Sequence, residues 1–300
     1  LKLVKFVVVP LIVLAAIGCG AFAAAVWLGE RKVERSVEIR VVPVAFTKDP
    51  AALKLGKYLF DTRGCGECHG GDGRGRVMID HPNGLYVRTP NITAGAGSAV
   101  AGYTEADWVR AIRHGVNPKG HALLVMPGED YNRLNDADFA ALVAYVRGLP
   151  PSAGQTTQIR LPMIVKALYG AGMIRDSAEK IDHKVPPSAP VAVAASVEHG
   201  AYVTSMCIGC HGATLAGGRI PGTPPDWPPA SNLTPGEGGV MPRYDSAAKF
   251  VSMMRTGKRP DGTEVSKVMP FGSIGNLNEV DLNAMYAYLR TVPARKAGER

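Results

Sequence analysis

The pentapeptide Cys-x-x-Cys-His occurs twice in this chain, as Cys65-Gly66-Glu67-Cys68-His69 and as Cys207-Ile208-Gly209-Cys210-His211. The surroundings of the two copies correspond. Each is preceded by a short helical stretch bearing Gly and Tyr (Gly56 and Tyr58; Gly200 and Tyr202) and followed by Gly70 or Gly212. Asn91-Ile92-Thr93 and Asn232-Leu233-Thr234 come next, then helical segments ending at Arg113-His114-Gly115 and Arg255-Thr256-Gly257. Met126-Pro127 and Met269-Pro270 follow at nearly the same distance from their histidines, and both units close on a helix running into Leu149-Pro150 or Val292-Pro293. Landmarks that recur in one order imply two copies of one folding unit.

The closing helices are the most legible elements. Asn135 and Asn278 are placed as N-caps, with Asp138 and Asp281 as their acidic N3 partners. Leu134 with Phe139, and Leu277 with Leu282, fit a hydrophobic staple. Apolar residues at 139, 142, 143, 146 and at 282, 285, 286, 289 form one stripe each, so both helices are predicted to bury one face. No sustained alternation of period two appears, and the predicted class is all-α.

In Cys-x-x-Cys-His the two thiols can reach the two vinyl groups of one porphyrin, and the adjacent histidine is delivered to the iron. Zinc would want a second Cys or Cys/His pair nearby, and only five cysteines are present. Two covalently attached haem c groups are therefore expected, on Cys65, Cys68 and His69 and on Cys207, Cys210 and His211. Met126 and Met269 are the candidate distal iron ligands, because they hold equivalent positions and each precedes a proline that fixes the loop backbone. The iron ligands would then be His69 with Met126 and His211 with Met269, and a thioether ligand favours the ferrous state and a higher potential. Met241, Met206, Met253 and Met254 are read as packing residues; His114 and His121 are the alternative ligands for the first iron. Asn91, Thr93, Asn232 and Thr234 could bond propionates, hold a loop, or be ordinary turn residues. Arg113 and Arg255 could neutralise propionates or be solvated.

From Phe6 to Leu28 the chain carries no charge, after Lys2 and Lys5. That length suits a helix crossing a hydrocarbon core of about 30 Å, with the lysines inside and the remainder outside. Ala16-Ile17-Gly18-Cys19 loosely matches a lipoprotein box; a helix cysteine is the simpler reading. The expected organisation is an anchor at 1–29, an exposed charged lead-in at 30–48, units at 49–150 and 196–295, and a Pro/Ala-rich linker at 151–195. Within the linker, Met163 to Ile174 is a helical candidate too short to span, suited to packing between units or on a membrane surface. The formal charge of +8 omits haem propionates, and no basic stripe interleaved with aromatics points to nucleic acid.

Thr89-Pro90-Asn91-Ile92-Thr93, the Met-Pro loops and the capped closing helices resemble class I cytochrome c domains. They are similar above all to those in the membrane-bound cytochrome c subunits of bacterial quinoprotein alcohol, gluconate and aldehyde dehydrogenases. The second unit's Gly217-Gly218-Arg219-Ile220-Pro221-Gly222 and Pro228 to Thr234 fit the same pattern. The resemblance covers roughly residues 50–150 and 195–295. It implies small helical domains, His/Met ligation, and single-electron relay on the periplasmic side. The expected role is an electron carrier with no catalytic residues, a subunit or partner of a respiratory or photosynthetic complex, with redox protein partners that form a membrane oxidoreductase. Those subunits commonly carry three haem domains, whereas two are present here. The alternative is a dihaem cytochrome c peroxidase, which needs an iron that can open beside acid–base residues.

Overall fold

A computed structural model describes residues 2–300, with side chains from residue 6 onward. The chain is mostly helical, and its buried hydrophobic residues form two clusters. One is built on Leu59, Phe60, Trp108, Phe139 and Leu142, the other on Val203, Phe250, Leu277, Leu282 and Met285. Each buried Leu or Phe contributes about 1.5–3 kcal/mol, so these clusters dominate the stability of their halves.

The closing helices form as predicted, at Asp136–Arg147 and Glu279–Leu289. Asn135 and Asn278 each accept the N3 backbone N–H through Oδ1, at 2.8 Å in both cases. Their stripes are buried, with Phe139, Leu142 and Val143 facing one cluster and Leu282, Met285 and Leu289 the other. The helices preceding the Cys-x-x-Cys-His motifs, Pro50–Thr62 and Val197–Thr204, cross these closing helices at Gly56 and Gly200. A Cβ at Gly56 would overlap the Ala141 carbonyl, and one at Gly200 the Ala284 carbonyl, so both crossings require glycine.

The predicted all-α class needs an addition. A small antiparallel sheet pairs Val77–Asp80 with Tyr86–Arg88, and Tyr86–Arg88 with Gln158–Arg160. Its strands have three or four residues, too few for an alternating pattern to stand out. The third strand comes from the stretch read as linker, which therefore packs on the first half.

The first helix runs from Lys2 to Val33 and is long and apolar enough to cross a membrane. Cys19 lies exposed on its surface. The charged stretch at its end is largely exposed, as at Glu30, Arg31, Glu34, Glu38 and Arg40, but two of its cations are tied down. Lys32 pairs with Glu179 at 2.8 Å, and Arg35 with the fully buried carboxylate of Asp176 at 2.6 Å. Val41, Val44 and Phe46 then pack on the first cluster. The linker helix Met163–Gly170 lies against the end of the first helix. Side chains at Gly29 and Gly170 would overlap the carbonyls of Lys166 and Ala25, so small residues set this close approach.

Candidate functional site

Each Cys-x-x-Cys-His motif is wound into a short helical turn. Cys65–His69 is entered through Gly64 and left through Gly70, both at φ +79°. The second turn, Ile208–His211, follows a 3-10 turn at Ser205–Cys207 and leaves through Gly212 at φ +79°. A helical turn brings residues three apart onto one face, so the two cysteines of each motif share a side with the histidine directly beyond. Cys65 packs on the first hydrophobic cluster and Cys207 on the second.

The histidines are oriented identically. His69 Nδ1 lies 3.0 Å from the Pro90 carbonyl and His211 Nδ1 lies 2.8 Å from the Ser231 carbonyl. A carbonyl only accepts, so Nδ1 carries the proton and Nε2 keeps its lone pair for a metal. Burial pushes both imidazoles below the ordinary histidine range, which keeps them neutral at pH 7.

Pro90 and Ser231 immediately precede the two Asn-x-Thr landmarks, and this explains those residues. Asn91 Nδ2 donates to the Ala96 and Ser152 carbonyls at 3.1 and 2.8 Å, while its Oδ1 accepts Thr93 N–H at 2.8 Å. Asn232 repeats the set with the carbonyls of Glu237 and Arg295, at 3.2 and 2.8 Å, and with Thr234 N–H at 2.9 Å. Of the three readings open from sequence, holding a loop is the one found. Each Asn clamps the segment after the closing helix to the loop whose carbonyl aims the histidine, and its polar atoms are spent on protein partners.

Arg113 and Arg255 each donate to a main-chain carbonyl, Arg113 from a buried position and Arg255 from an exposed one. Arg113 is buried, donates to the Leu134 carbonyl at 2.6 Å and pairs with Asp136 at 2.8 Å. Arg255 donates to the Gly275 carbonyl. Both tie a helix to the loop ahead of the closing helix.

Met126 and Met269 sit in matching turns. The N–H of Gly128 bonds to the Met126 carbonyl at 2.9 Å and that of Phe271 to the Met269 carbonyl at 2.8 Å. Pro127 has φ −80°, ψ 72° and Pro270 φ −79°, ψ 67°, the geometry of an inverse γ-turn. Met126 packs on the cluster that holds Cys65, and Met269 on the one that holds Cys207. The other methionines are occupied as expected. Met241, Met253 and Met254 are buried in the second cluster, and the Met206 sulfur accepts from Arg63 at 3.0 Å. His114 Nδ1 lies 3.0 Å from His183 Nδ1, and the backbone of His121 bridges to Ser36.

The donor set fits a covalently held haem. Burial pushes the thiols of Cys65 and Cys207 up to about 12 and that of Cys210 up to about 11, whereas thiol–disulfide chemistry needs a lowered thiol. Among the described residues no three His, Cys, Asp or Glu side chains converge as a zinc site requires.

The family model for cytochrome c matches residues 53–150 and 197–293, more than half of the chain. The fructose dehydrogenase cytochrome subunit of Gluconobacter japonicus is 28% identical over 273 residues, covering 81% of this chain and 53% of that protein. A diheme cytochrome c-type protein of Cereibacter sphaeroides is 27% identical over 311 aligned positions, covering 91% of this chain and 95% of that protein. The cytochrome c subunit of the quinone-dependent alcohol dehydrogenase of Gluconacetobacter polyoxogenes is 34% identical over 105 residues, 33% of this chain and 22% of that protein. This chain thus spans about half the length of the fructose dehydrogenase subunit and under a quarter of the alcohol dehydrogenase subunit. With two matched regions, each containing one Cys-x-x-Cys-His turn, the chain belongs to the cytochrome c family and is an electron carrier with two covalently bound haem c groups.

Proposed function

We propose that the chain is a membrane-anchored relay built of two tandem cytochrome c domains, residues 49–150 and 196–295, that passes single electrons on the periplasmic side as a subunit or partner of a membrane dehydrogenase. The observation that carries this reading is the duplication of the ligand-positioning skeleton. The histidine bonded to a carbonyl, the Asn-x-Thr clamp and the Met-Pro γ-turn all occur twice in the same order.

Cys65 and Cys68 would hold one haem by thioether bonds, with His69 and Met126 as axial ligands; Cys207, Cys210, His211 and Met269 would hold the other. When bound, each haem supplies a one-electron Fe(III)/Fe(II) couple. The protein fixes the tautomer of each histidine through the Pro90 or Ser231 carbonyl and restricts each methionine through its proline. The hydrophobic clusters pack against Cys65 and Met126 in one half and against Cys207 and Met269 in the other, which limits reorganisation around a changing charge. The helix Lys2–Val33 acts as the anchor, and its exit is fixed by the Arg35–Asp176 and Lys32–Glu179 pairs. The dehydrogenase assignment is supported by relatives named as cytochrome subunits of fructose and alcohol dehydrogenases.

Intact-mass spectrometry and topology test this reading together. The full chain is expected to carry the mass of two haems, to stay in membranes washed with alkaline carbonate, and to be digested by protease added to spheroplasts. Release by carbonate, or protection of the haem-bearing part in spheroplasts, would contradict the anchored, periplasmic arrangement.

A further inference from the structure

Beside one-sided contacts such as Arg63 to the Val203 carbonyl at 2.8 Å, the two halves meet through four contacts that are reciprocal, residue for residue. Tyr58, ahead of the first Cys-x-x-Cys-His motif, donates to Asp281 Oδ2 at 2.5 Å and accepts Asn278 N–H at 3.1 Å. Both partners lie at the N-terminus of the second half's closing helix. Tyr202, the matching residue ahead of the second motif, donates to Asp138 Oδ2 at 2.5 Å. It accepts from Asn135 through the backbone N–H at 3.2 Å and the side-chain amide at 3.0 Å, at the N-terminus of the first half's closing helix.

A second pair of contacts obeys the same exchange. Asp130, in the short helix after Met126-Pro127, accepts Gly209 N–H at 2.7 Å, inside the second motif. Ser273, in the short helix after Met269-Pro270, donates to Glu67 Oε1 at 3.3 Å, inside the first motif. Gly209 and Glu67 are the same position of Cys-x-x-Cys-His, and Asp130 and Ser273 the same position after Met-Pro. Contacts in which i meets j and j meets i define a two-fold interface, here formed within one chain.

This arrangement backs each Cys-x-x-Cys-His turn onto the other half's Met-Pro loop. A rotation of one half against the other would break all four contacts together. The tyrosine–carboxylate bonds are the strong members, being charge-assisted and partly or wholly removed from water. The clasp on Asp281 is reinforced by buried His199, whose Nε2 lies 2.7 Å from Asp281 Oδ1.

We infer that Tyr58 and Tyr202 are positioning residues that lock the two halves in one pseudo-two-fold arrangement and thereby set the mutual distance and orientation of the two haems. This rests on the proposal that each Cys-x-x-Cys-His motif holds one haem. The hydroxyls supply the lock, so phenylalanine keeps the ring packing and removes only the clasp.

The test uses the full-length holoprotein in detergent, with Tyr58→Phe, Tyr202→Phe, the double variant, and Tyr286→Phe as control. The control removes a comparable hydroxyl bond, to the Tyr244 carbonyl, inside the second half. Two haems held close in a fixed orientation give a two-signed circular-dichroism couplet in the Soret band. The wild type and Tyr286→Phe are expected to show it, each clasp variant to weaken it, and the double variant to lose it with haem count and absorption spectrum unchanged. Amide exchange at Asn278 in Tyr58→Phe, and at Asn135 in Tyr202→Phe, is expected to rise about tenfold, the loss expected for one ordinary hydrogen bond from each amide to the hydroxyl. A wild-type couplet in the double variant, or no couplet in the wild type, overturns the proposal. Should the double variant fail to take up both haems, the two single variants decide by the same criterion. Fewer than two haems in the wild type by pyridine haemochrome would instead overturn the assignment of one haem to each motif.

Discussion

The two halves share their ligand-positioning skeleton and differ in what braces it from outside. In the first, the loop after Met126 is held from the linker. Ser177 Oγ accepts the Gly128 N–H at 3.0 Å, and Lys180 pairs with Glu129 at 2.9 Å. Asp176, next to Ser177, is in turn paired with Arg35 at the end of the first helix. In the second half, the bracing falls on the motif instead. Arg300 donates to the carbonyls of Cys210 at 2.8 Å and of Gly209 and Gly218 at 3.3 Å. The first half also carries the small sheet, whereas between 213 and 231 the described residues form only an isolated bridge, Gly218 to Ala230. The duplicated residues are those that aim the histidine and turn the methionine; the residues that differ decide what each half is fastened to.

The sharpest way to test whether the skeleton is equivalent is to remove each methionine. Met126→Ala and Met269→Ala should each lower the potential of one haem by on the order of a hundred millivolts or more, because axial ligands dominate haem potentials. Each should also abolish one near-infrared sulfur-to-iron band and leave the other haem unchanged, as read by optical redox titration.

The asymmetric bracing predicts an asymmetric result. Arg35→Ala leaves the Asp176 carboxylate, whose side chain is 0% exposed, with only the Tyr169 hydroxyl and the Glu179 N–H as partners, at a cost of roughly 3 kcal/mol. Hydrogen exchange should rise in the loop 126–131 and remain at the wild-type level in the loop 269–274. Equal rises in both loops would show that the first helix braces the whole molecule rather than one half.

Asn91→Ala and Asn232→Ala ask the opposite question. Each removes a buried side chain that satisfies main-chain groups, and each should cost about 1–3 kcal/mol in thermal unfolding. The two costs should be similar, since three bonds of each clamp match and Asn91 adds only one, from the Thr93 hydroxyl at 2.8 Å; a large difference would break the equivalence.

The smallest expected effect is confined to the first half and to acid pH. Burial, then the neighbouring His183, pushes His114 down to about 4. An unfolded histidine titrates near 6.5, so between these values the unfolded chain binds the extra proton. The stabilising contribution of neutral His114 is therefore complete above about pH 6.5 and is lost as pH falls toward 4. His114→Gln should flatten the fall of melting temperature over that window. A variant with the wild-type slope would assign the acid sensitivity to other groups.

Much of this was legible in the sequence because duplication supplied a control. A lone Met-Pro pair is uninformative, and Met241-Pro242 shows why: its methionine is buried in the second cluster, and the pair has no counterpart in the first half. The capped helices were readable because Asn135 and Asn278 act on amides three residues away. The Asn-x-Thr clamps were visible as landmarks but not as clamps, because their partners are the main-chain carbonyls of Ser152 and Arg295, which no side-chain pattern encodes. Arg113, open from sequence between a propionate and solvent, is buried and bonded to the Leu134 carbonyl and Asp136, partners that no spacing in the sequence announces. The tyrosine clasps lay out of reach, since they exist only once the halves have docked.

The central claim, that each half independently builds one His/Met haem centre, is tested most directly by an optical redox titration of the purified protein followed through the near-infrared band. Two low-spin centres at clearly positive potentials, both carrying the band, are the predicted result. A centre at strongly negative potential without the band would contradict the equivalence of Met126 and Met269 and place a different or labile ligand on that iron.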